Sequence, residues 1–477
     1  MTGAVEYDVV VLGGGPAGEN VVDRTRAAGL STALVESELI GGECSYWACV
    51  PSKALLRPAL ARADARRVPG LAGAVGGALD TAAVFAHRDY WTGSWKDEGQ
   101  VDWLDSIGAH VYRGHGRLYG VRKVAVTSPE GEHHVLSARH AVVVATGTRA
   151  VVPELPGISG ARPWTSREAT SAQASPGRLL IVGGSVVAAE MATAWQALGS
   201  EVTVLVRGPR LLPRMEPFAG ELVAEALREA GAVVRTGVEV EAVVRDGPTG
   251  PVTVVLAGGE SLEGDELLMA TGRSPRTEDI GLDTVGLTPG DWIAVDDGCR
   301  VPGHDWLYAV GDVNHRALLT HQGKYQARIA GAAIAARAAG TPLDTAPWGA
   351  HAATADAQAL PQAVFTDPEA AAVGLTLAEA ELAGHRVRAV DHDLGKVSGA
   401  GLYADGYRGR ARMVVDLDRE ILLGATFVGP GAAELLHAAT IAVAGEVPIE
   451  RLWHAVPAFP TISEVWLRLL EAYRGQL

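Results

Sequence analysis

Two cysteines separated by four residues, Cys44 and Cys49, stand in the run Gly41-Gly42-Glu43-Cys44-Ser45-Tyr46-Trp47-Ala48-Cys49-Val50-Pro51-Ser52-Lys53. A pair this close can hold two electrons, as a dithiol or as a disulfide. In a reducing compartment such a pair is more often catalytic or metal-binding than structural. The third cysteine, Cys299, is isolated in Asp297-Gly298-Cys299-Arg300 and reads as a packing residue. Three cysteines in 477 residues exclude a disulfide scaffold.

The cysteine pair follows a dinucleotide-binding pattern by one strand–helix–strand length. Tyr7–Leu12 is a short apolar run rich in β-branched residues and predicts a buried strand. Gly13-Gly14-Gly15-Pro16-Ala17-Gly18 follows, with glycine at the three positions such a turn needs. Gly13 permits the tight turn, Gly15 lets backbone approach a pyrophosphate, and Gly18 lets the helix pack on the strand. The helix start then offers free N–H groups and a positive dipole end to phosphate. The next strand, Thr32–Val35, ends in Glu36, an acid placed to accept from a ribose hydroxyl.

A second, degraded copy lies mid-chain. Arg178–Val182 predicts a strand, and Gly183-Gly184-Ser185-Val186-Val187-Ala188 puts serine at the second glycine position and alanine at the third. The serine adds a side chain near the pyrophosphate. The strand Val202–Val206 ends not in an acid but in Arg207, with Arg210 and Arg214 behind it. Arginines there accommodate a 2′-phosphate, so NADPH is expected over NADH.

Other elements must position these groups. Ala141-Val142-Val143-Val144-Ala145-Thr146-Gly147 and Leu267-Leu268-Met269-Ala270-Thr271-Gly272-Arg273 are two strand-to-glycine turns, expected where the chain crosses between two nucleotide domains. Pro153, Pro156 and Gly157 fit a linker after the first. Leu307–Val310 runs into Gly311-Asp312, a strand end whose acid can bind a polyol or ribose hydroxyl. Beyond Pro347, strands at Ala363–Thr366, Ala411–Asp416 and Ile421–Gly429 and helices around Glu434–Ala444 and Ile462–Tyr473 predict an α+β domain without a nucleotide motif.

Bulk properties bound the partners. Hydrophobic content of 48% with 20% charged residues fits an ordinary globular chain of several domains. A net charge of −15 argues against nucleic acid and anionic membranes. No apolar run approaches the roughly 20 residues of a membrane span. The first strand begins within ten residues of Met1, leaving no room for a signal peptide, and a cytoplasmic location is expected.

Together these motifs resemble the flavoprotein disulfide reductases with two dinucleotide domains: lipoamide dehydrogenase, glutathione reductase and mercuric reductase. The resemblance spans nearly the whole chain. It rests on the first glycine turn, Cys44-x4-Cys49 with Val50-Pro51-Ser52-Lys53, both Ala-Thr-Gly turns, Gly311-Asp312, and Phe365-Thr366-Asp367-Pro368-Glu369 with Val373-Gly374. It implies an α/β fold with two Rossmann-like domains, for FAD and NAD(P), and a C-terminal α+β dimerisation domain. The expected boundaries are residues 1–152 and 276–346 for FAD, 153–275 for NAD(P) and 347–477 for dimerisation.

The resemblance further implies that Lys53 lies near flavin N5 and pairs with Glu190, that Cys49 contacts the flavin, and that Cys44 meets substrate. A helix start and a lysine both lower a thiol's pKa, which favours the reactive thiolate. The cofactor-binding set is Gly13, Gly15, Gly18, Glu36, Thr146, Gly147, Gly183, Arg207, Arg214, Gly272, Arg273, Gly311 and Asp312. A homodimer whose active site is shared between subunits is implied, with no bound metal.

One departure bears on chemistry. The family's C-terminal His-Pro-Thr, followed three residues later by Glu, is here Phe459-Pro460-Thr461 with Glu464. Phenylalanine cannot move a proton, and losing a general base costs about 10²–10⁴-fold. His454 stands five residues earlier and could substitute only if the backbone path differed; otherwise it reads as a surface or interface histidine, and the same two readings stand for His437 and His321. Mercuric reductases carry tyrosine at this place, but the C-terminal cysteine pair and N-terminal metal-binding domain of those enzymes are missing here. Tyr46 and Trp47 are bulkier than the family's residues between the cysteines and read as packing. The expected function is FAD-dependent NAD(P)H oxidation, with electrons passing through the Cys44–Cys49 disulfide to a small disulfide or other thiol-reactive acceptor. The alternatives are a metal-ion, quinone or oxygen reductase without histidine acid–base catalysis, and a low-turnover redox-responsive flavoprotein.

Overall fold

Runs of valine, isoleucine and leucine long enough to be buried on both faces form parallel strands, and those runs organise the chain. The structure, a computed structural model, describes residues 4–475. Contacts divide the chain into two units. Unit 1 runs to Val50 and adds Asp89–Arg149 and Arg273–Ala357; unit 2 takes Pro51–Arg88, Ala150–Gly272 and the chain from Gln358 onward. The chain thus leaves unit 1 just past Thr146-Gly147 and returns to it just past Thr271-Gly272.

Unit 1 is built on a seven-stranded sheet. Val5–Leu12 lies between Thr32–Glu36 and His133–Val144, parallel to both. The 12-residue strand His133–Val144 serves two partners. Its first half pairs antiparallel with Lys123–Thr127, and its end pairs parallel with Leu307–Ala309. That second pairing carries Gly311-Asp312 to the same sheet end as Gly13 and Thr146. Val9, Val11 and Val143 pack on the helix side, with Val21, Val22 and Ala327. Leu12, Val35 and Val142 fill the opposite face. The helices Pro16–Ala27 and Thr320–Ala338 lie on the first of these faces, packed against each other.

Unit 2 holds a four-stranded parallel sheet, in the order Val233–Thr236, Glu201–Val206, Arg178–Val182, Glu266–Met269. It also holds a five-stranded antiparallel sheet in the C-terminal segment, with Glu369–Gly374 and Ile421–Gly429 at its centre. The helix Val186–Ala197 is apolar almost all round, and eight of its twelve residues are buried, so it is an interior helix rather than a surface one. Three element readings need correction. The strand near Ala363 covers Pro361–Val364, and Thr366 instead bonds Pro368 O in a turn. The helices near Glu434 and Ile462 open as 3-10 turns, Ala432–Leu435 and Ile462–Glu464, before the α-helices Leu436–Ala444 and Val465–Tyr473. Tight starts of this kind are common where helix ends lack an ordinary cap. Among the described residues, no helix is long and apolar enough to cross a membrane.

Candidate active site

The cysteines are held by one short turn of helix and by the start of a long helix. Cys44 lies in the single turn Gly42–Tyr46, which needs Gly41 in the left-handed region, at φ 110°, to begin. Tyr46 anchors that turn: it is buried, and its hydroxyl donates to Ile40 O at 3.0 Å. Cys49 opens the long helix Cys49–Arg66. The two thiols share a hydrogen bond. Cys49 Sγ also lies 3.3 Å from Thr320 Oγ1, at the start of the helix Thr320–Ala338. The bond to Cys49 first, and burial second, push the Cys44 thiol well up, while Thr320 and the Lys324 ammonium oppose the shift. Thr320 lies 271 residues from Cys49 in sequence, and no local pattern pointed to it.

The first glycine turn divides its labour. A Cβ at Gly13 would sit 2.4 Å from Ala145 O, and one at Gly18 only 1.9 Å from Gly13 O. Both glycines serve packing within the protein. A Cβ at Gly15 would meet nothing within 4 Å, and Gly15 caps the helix Pro16–Ala27 without any side-chain bond to its first-turn N–H groups. The protein therefore leaves an open cradle at the one position where backbone must approach a pyrophosphate. Glu36 sits behind it, with Oε2 accepting from Gly14 N at 2.6 Å and Oε1 from Glu38 N at 2.7 Å.

Beside the turn, the Thr146 hydroxyl is buried with no hydrogen-bond partner, an orphan polar group of the kind a bound ligand satisfies. Asp312 Oδ2 accepts from Thr148 Oγ1 at 2.7 Å, and burial raises the carboxyl's pKa despite Thr148 and the nearby Arg273. Arg273 itself donates to Thr148 Oγ1 at 2.6 Å and lies 3.8 Å from both Asp312 and Glu43. Gly147 and Gly311 turn the chain at positive φ, 68° and 77°. Open cradle, orphan hydroxyl and strand-end acid fit a dinucleotide such as FAD. Thr148, which joins Arg273 to Asp312, is a further member that the sequence reading did not single out.

In unit 2, Lys53 Nζ donates to Glu190 Oε2 at 2.7 Å. Glu190 is 3% exposed, so its carboxyl group is held by protein partners rather than by water. Its other oxygen accepts from Phe365 N at 3.1 Å, and the Phe365 ring lies 5.0 Å from Lys53 Nζ. Phe365 thus supports both members of the pair, through its backbone and its ring.

At the second turn, Gly183 has φ 128°, and a Cβ there would lie 2.3 Å from Ala270 O. The Ser185 hydroxyl turns inward: it donates to Ala270 O at 2.9 Å and caps Ala188 N at 3.4 Å. Arg207 and Arg214 are exposed, with no carboxylate partner among the described residues, and Arg210 Nε is buried without a hydrogen bond. Free cations and an orphan donor at that strand end fit a phosphorylated nucleotide. Gly272 has φ 138°.

Glu464 bonds to Arg468 and to none of these groups. It is buried, with Oε1 accepting from Arg468 at 2.5 Å and Oε2 unpaired. Phe459 is 74% exposed, and His454, His437 and His321 are exposed as well. Cys299 is fully buried, and burial raises its thiol pKa, so it is inert packing.

Comparison with known proteins adds sequence breadth to this geometry. A family profile described as pyridine nucleotide-disulphide oxidoreductase matches residues 7–339, and the dimerisation domain of the same name matches residues 360–469. A dihydrolipoyl dehydrogenase of Chlorobaculum tepidum is 31% identical over 466 residues, covering 97% of this chain and 96% of that protein. A mercuric reductase of Staphylococcus aureus is 29% identical over 463 residues, covering 96% of this chain and 81% of that protein. Among solved structures, LpdA from Mycobacterium tuberculosis is similar with a TM-score of 0.82 at 25% identity, covering 98% of this chain and 100% of that one.

Proposed function

The chain belongs to the pyridine nucleotide-disulphide oxidoreductase family, whose members use FAD and NAD(P)H, and from that premise we propose that it oxidises NADPH and reduces a small disulfide or other thiol-reactive acceptor through Cys44 and Cys49. A redox-active disulfide and a homodimeric assembly go with the family. The observation that carries the reading is the hydrogen-bonded thiol pair, with Cys49 held at a helix start by Thr320. Bound FAD supplies two-electron transfer between nicotinamide and dithiol.

The chain's own residues do the rest. Lys53, fixed by Glu190 and Phe365, holds a positive charge at one rotatable position. Cys44, as thiolate, attacks one sulfur of a disulfide acceptor, breaking its S–S bond, releasing the first thiol and forming a mixed disulfide; Cys49, as thiolate, then attacks the Cys44 sulfur, breaks the mixed disulfide, releases the second thiol and leaves the Cys44–Cys49 disulfide for the next electron pair. Before its attack Cys44 must lose the proton it shares with Cys49. Phe459 cannot take it, so in this reading the proton passes to Cys49 or to solvent. A dimer would bring the Phe459 segment of one subunit to the dithiol of the other. Glu464, tied to Arg468, then has no histidine to orient.

That same observation favours a second acceptor class. A thiol-binding metal ion or a quinone needs no histidine to protonate a leaving thiolate, and mercuric reductases are among the relatives.

The test is anaerobic titration of the purified flavoprotein with NADPH and NADH. A long-wavelength absorption band after two electrons, abolished in Cys49→Ser, supports the dithiol route. Flavin bleaching without that band removes the dithiol from the reaction. Unresponsiveness to both nucleotides sinks the reductase reading.

A further inference from the structure

Unit 2 contains a cleft of about 360 Å³ lined by none of the residues assigned above. It lies along the second half of the helix Cys49–Arg66, the end of Val186–Ala197 and the helix Pro217–Glu229. That volume is in the range that takes small organic ligands. The floor is apolar, from Ala59, Leu60, Ala197, Leu222 and Ala226 among others.

Its rim carries charges of both signs, with Glu225, Glu229 and Asp367 among the lining residues. Four arginines line it, and two are neutralised. Arg67 grips Asp367 at 2.6 and 2.7 Å, and Arg408 pairs with Glu229. Arg62 and Arg66 have no carboxylate partner among the described residues. Arg62 reaches only Gly77 O and Ala197 O, both at 3.3 Å, and Arg66 only Val75 O at 3.5 Å. Arg67 Nη1 is buried with no hydrogen bond.

Two like charges four residues apart on a helix oppose each other. Burial first, and the Arg66 charge second, depress the Arg62 guanidinium, as expected where positive charge is left uncompensated. Stabilising the end of the helix by its dipole would account for one cation in the last turn. It does not account for two at an apolar-floored cleft that bond only backbone carbonyls and have no carboxylate partner among the described residues.

We propose that this cleft binds a small organic oxyanion, its phosphate or carboxylate gripped by Arg62 and Arg66 and its short carbon body lying on the apolar floor. Guanidinium forks match both anions in bidentate geometry. The occupant would bridge the helix that begins with Cys49 and Lys53 to the helix that carries Glu190. Lys53 lies nine residues before Arg62, about 13 Å along the axis. The cleft is therefore an effector site, and its existence does not depend on the acceptor.

The experiment uses the full-length FAD-loaded protein with two probes, glycerol 3-phosphate and succinate, measured by calorimetry and thermal unfolding. Saturable binding with a Tm that rises to a plateau is expected. The tighter probe identifies the ligand as phosphorylated or as a carboxylic acid. Arg62→Gln with Arg66→Gln should weaken binding at least tenfold and leave basal turnover and flavin content unchanged. Arg207→Gln with Arg214→Gln should leave it intact, which separates the cleft from the nucleotide phosphate site. If the double variant does not fold, the wild type still decides. Phenylglyoxal modification of Arg62 and Arg66, mapped by mass spectrometry, should be suppressed by the bound probe. No saturable binding of either probe, an unchanged affinity in the folded variant, or modification indifferent to the probe would each overturn the proposal.

Discussion

The two glycine turns share their backbone bonds and differ in the side chains set around them. Gly13 and Gly183 both bend the chain at positive φ, and a Cβ on either would strike the carbonyl of an equivalent alanine, Ala145 O or Ala270 O. Both turns are also closed by backbone, Gly41 N on Gly14 O and Leu212 N on Gly184 O, and the first adds a carboxylate side chain, Glu36 on Gly14 N. The first packs its helix so close that Gly18 admits no side chain, whereas Ala188 fits its place in the second. The first leaves Gly15 bare at the helix start; the second caps it with Ser185. The two turns thus share one backbone geometry, and their strand ends differ: an acid in one unit, arginines without a carboxylate partner among the described residues in the other.

The largest effect should come from testing which glycines serve packing and which serve ligand. Gly13→Ala or Gly183→Ala forces a Cβ against a carbonyl in left-handed backbone and should cost at least about 3 kcal/mol in denaturant unfolding. Gly15→Ala should change stability by no more than about 0.5 kcal/mol, since nothing lies in the way. It should nonetheless lose FAD on dialysis. A Gly15→Ala protein that keeps its flavin would remove the distinction.

Next in size is nucleotide selectivity. Hydrogen bonds to charged groups contribute about 1.5–3 kcal/mol each. Replacing Arg207 and Arg214 by Gln should therefore raise KM for NADPH by at least about tenfold and leave NADH nearly unchanged. Equal losses for both nucleotides would mean that these arginines do not read the 2′-phosphate.

A smaller, pH-dependent effect belongs to the first unit alone. Burial, with Glu36 adding to it, pushes the Glu19 carboxyl from 4.5 up to about 7 against the pull of Lys324. The folded state therefore holds that proton more tightly than the unfolded one. The stability it confers is complete below about 4.5 and is lost as pH rises through about 7. Glu19→Gln should flatten Tm against pH over that window. Ala189 occupies the matching place in the second helix and cannot titrate. An unaltered profile in Glu19→Gln would assign the pH dependence elsewhere.

What the sequence disclosed was local. Each glycine turn, its strand, its helix and the residue ending the next strand lie within about thirty residues, and periodicity with spacing is enough to find them. The contacts that position the thiols and the lysine were hidden by distance. Thr320 reaches Cys49 across 271 residues and Phe365 reaches Glu190 across 175. Neither residue type announces such a partner. Thr148 escaped for another reason: threonine after an Ala-Thr-Gly turn is unremarkable until Asp312 and Arg273 close on it.

The finest distinction between the turns is Ser185. From sequence it stands in the way of a pyrophosphate; in the structure its hydroxyl points back to Ala270 O and Ala188 N. Ser185→Ala removes the cap and should cost about 1 kcal/mol, whereas Ser185→Gly should cost only a few tenths. If the inward hydroxyl already clears the phosphate path, Ser185→Gly leaves KM for NADPH within about twofold, well below the tenfold that 1.4 kcal/mol of binding makes. A tenfold tighter KM in Ser185→Gly would show instead that the Cβ itself obstructs the cofactor. The second turn would then be a weakened copy of the first, where the capped-helix geometry makes it an alternative solution to the same problem.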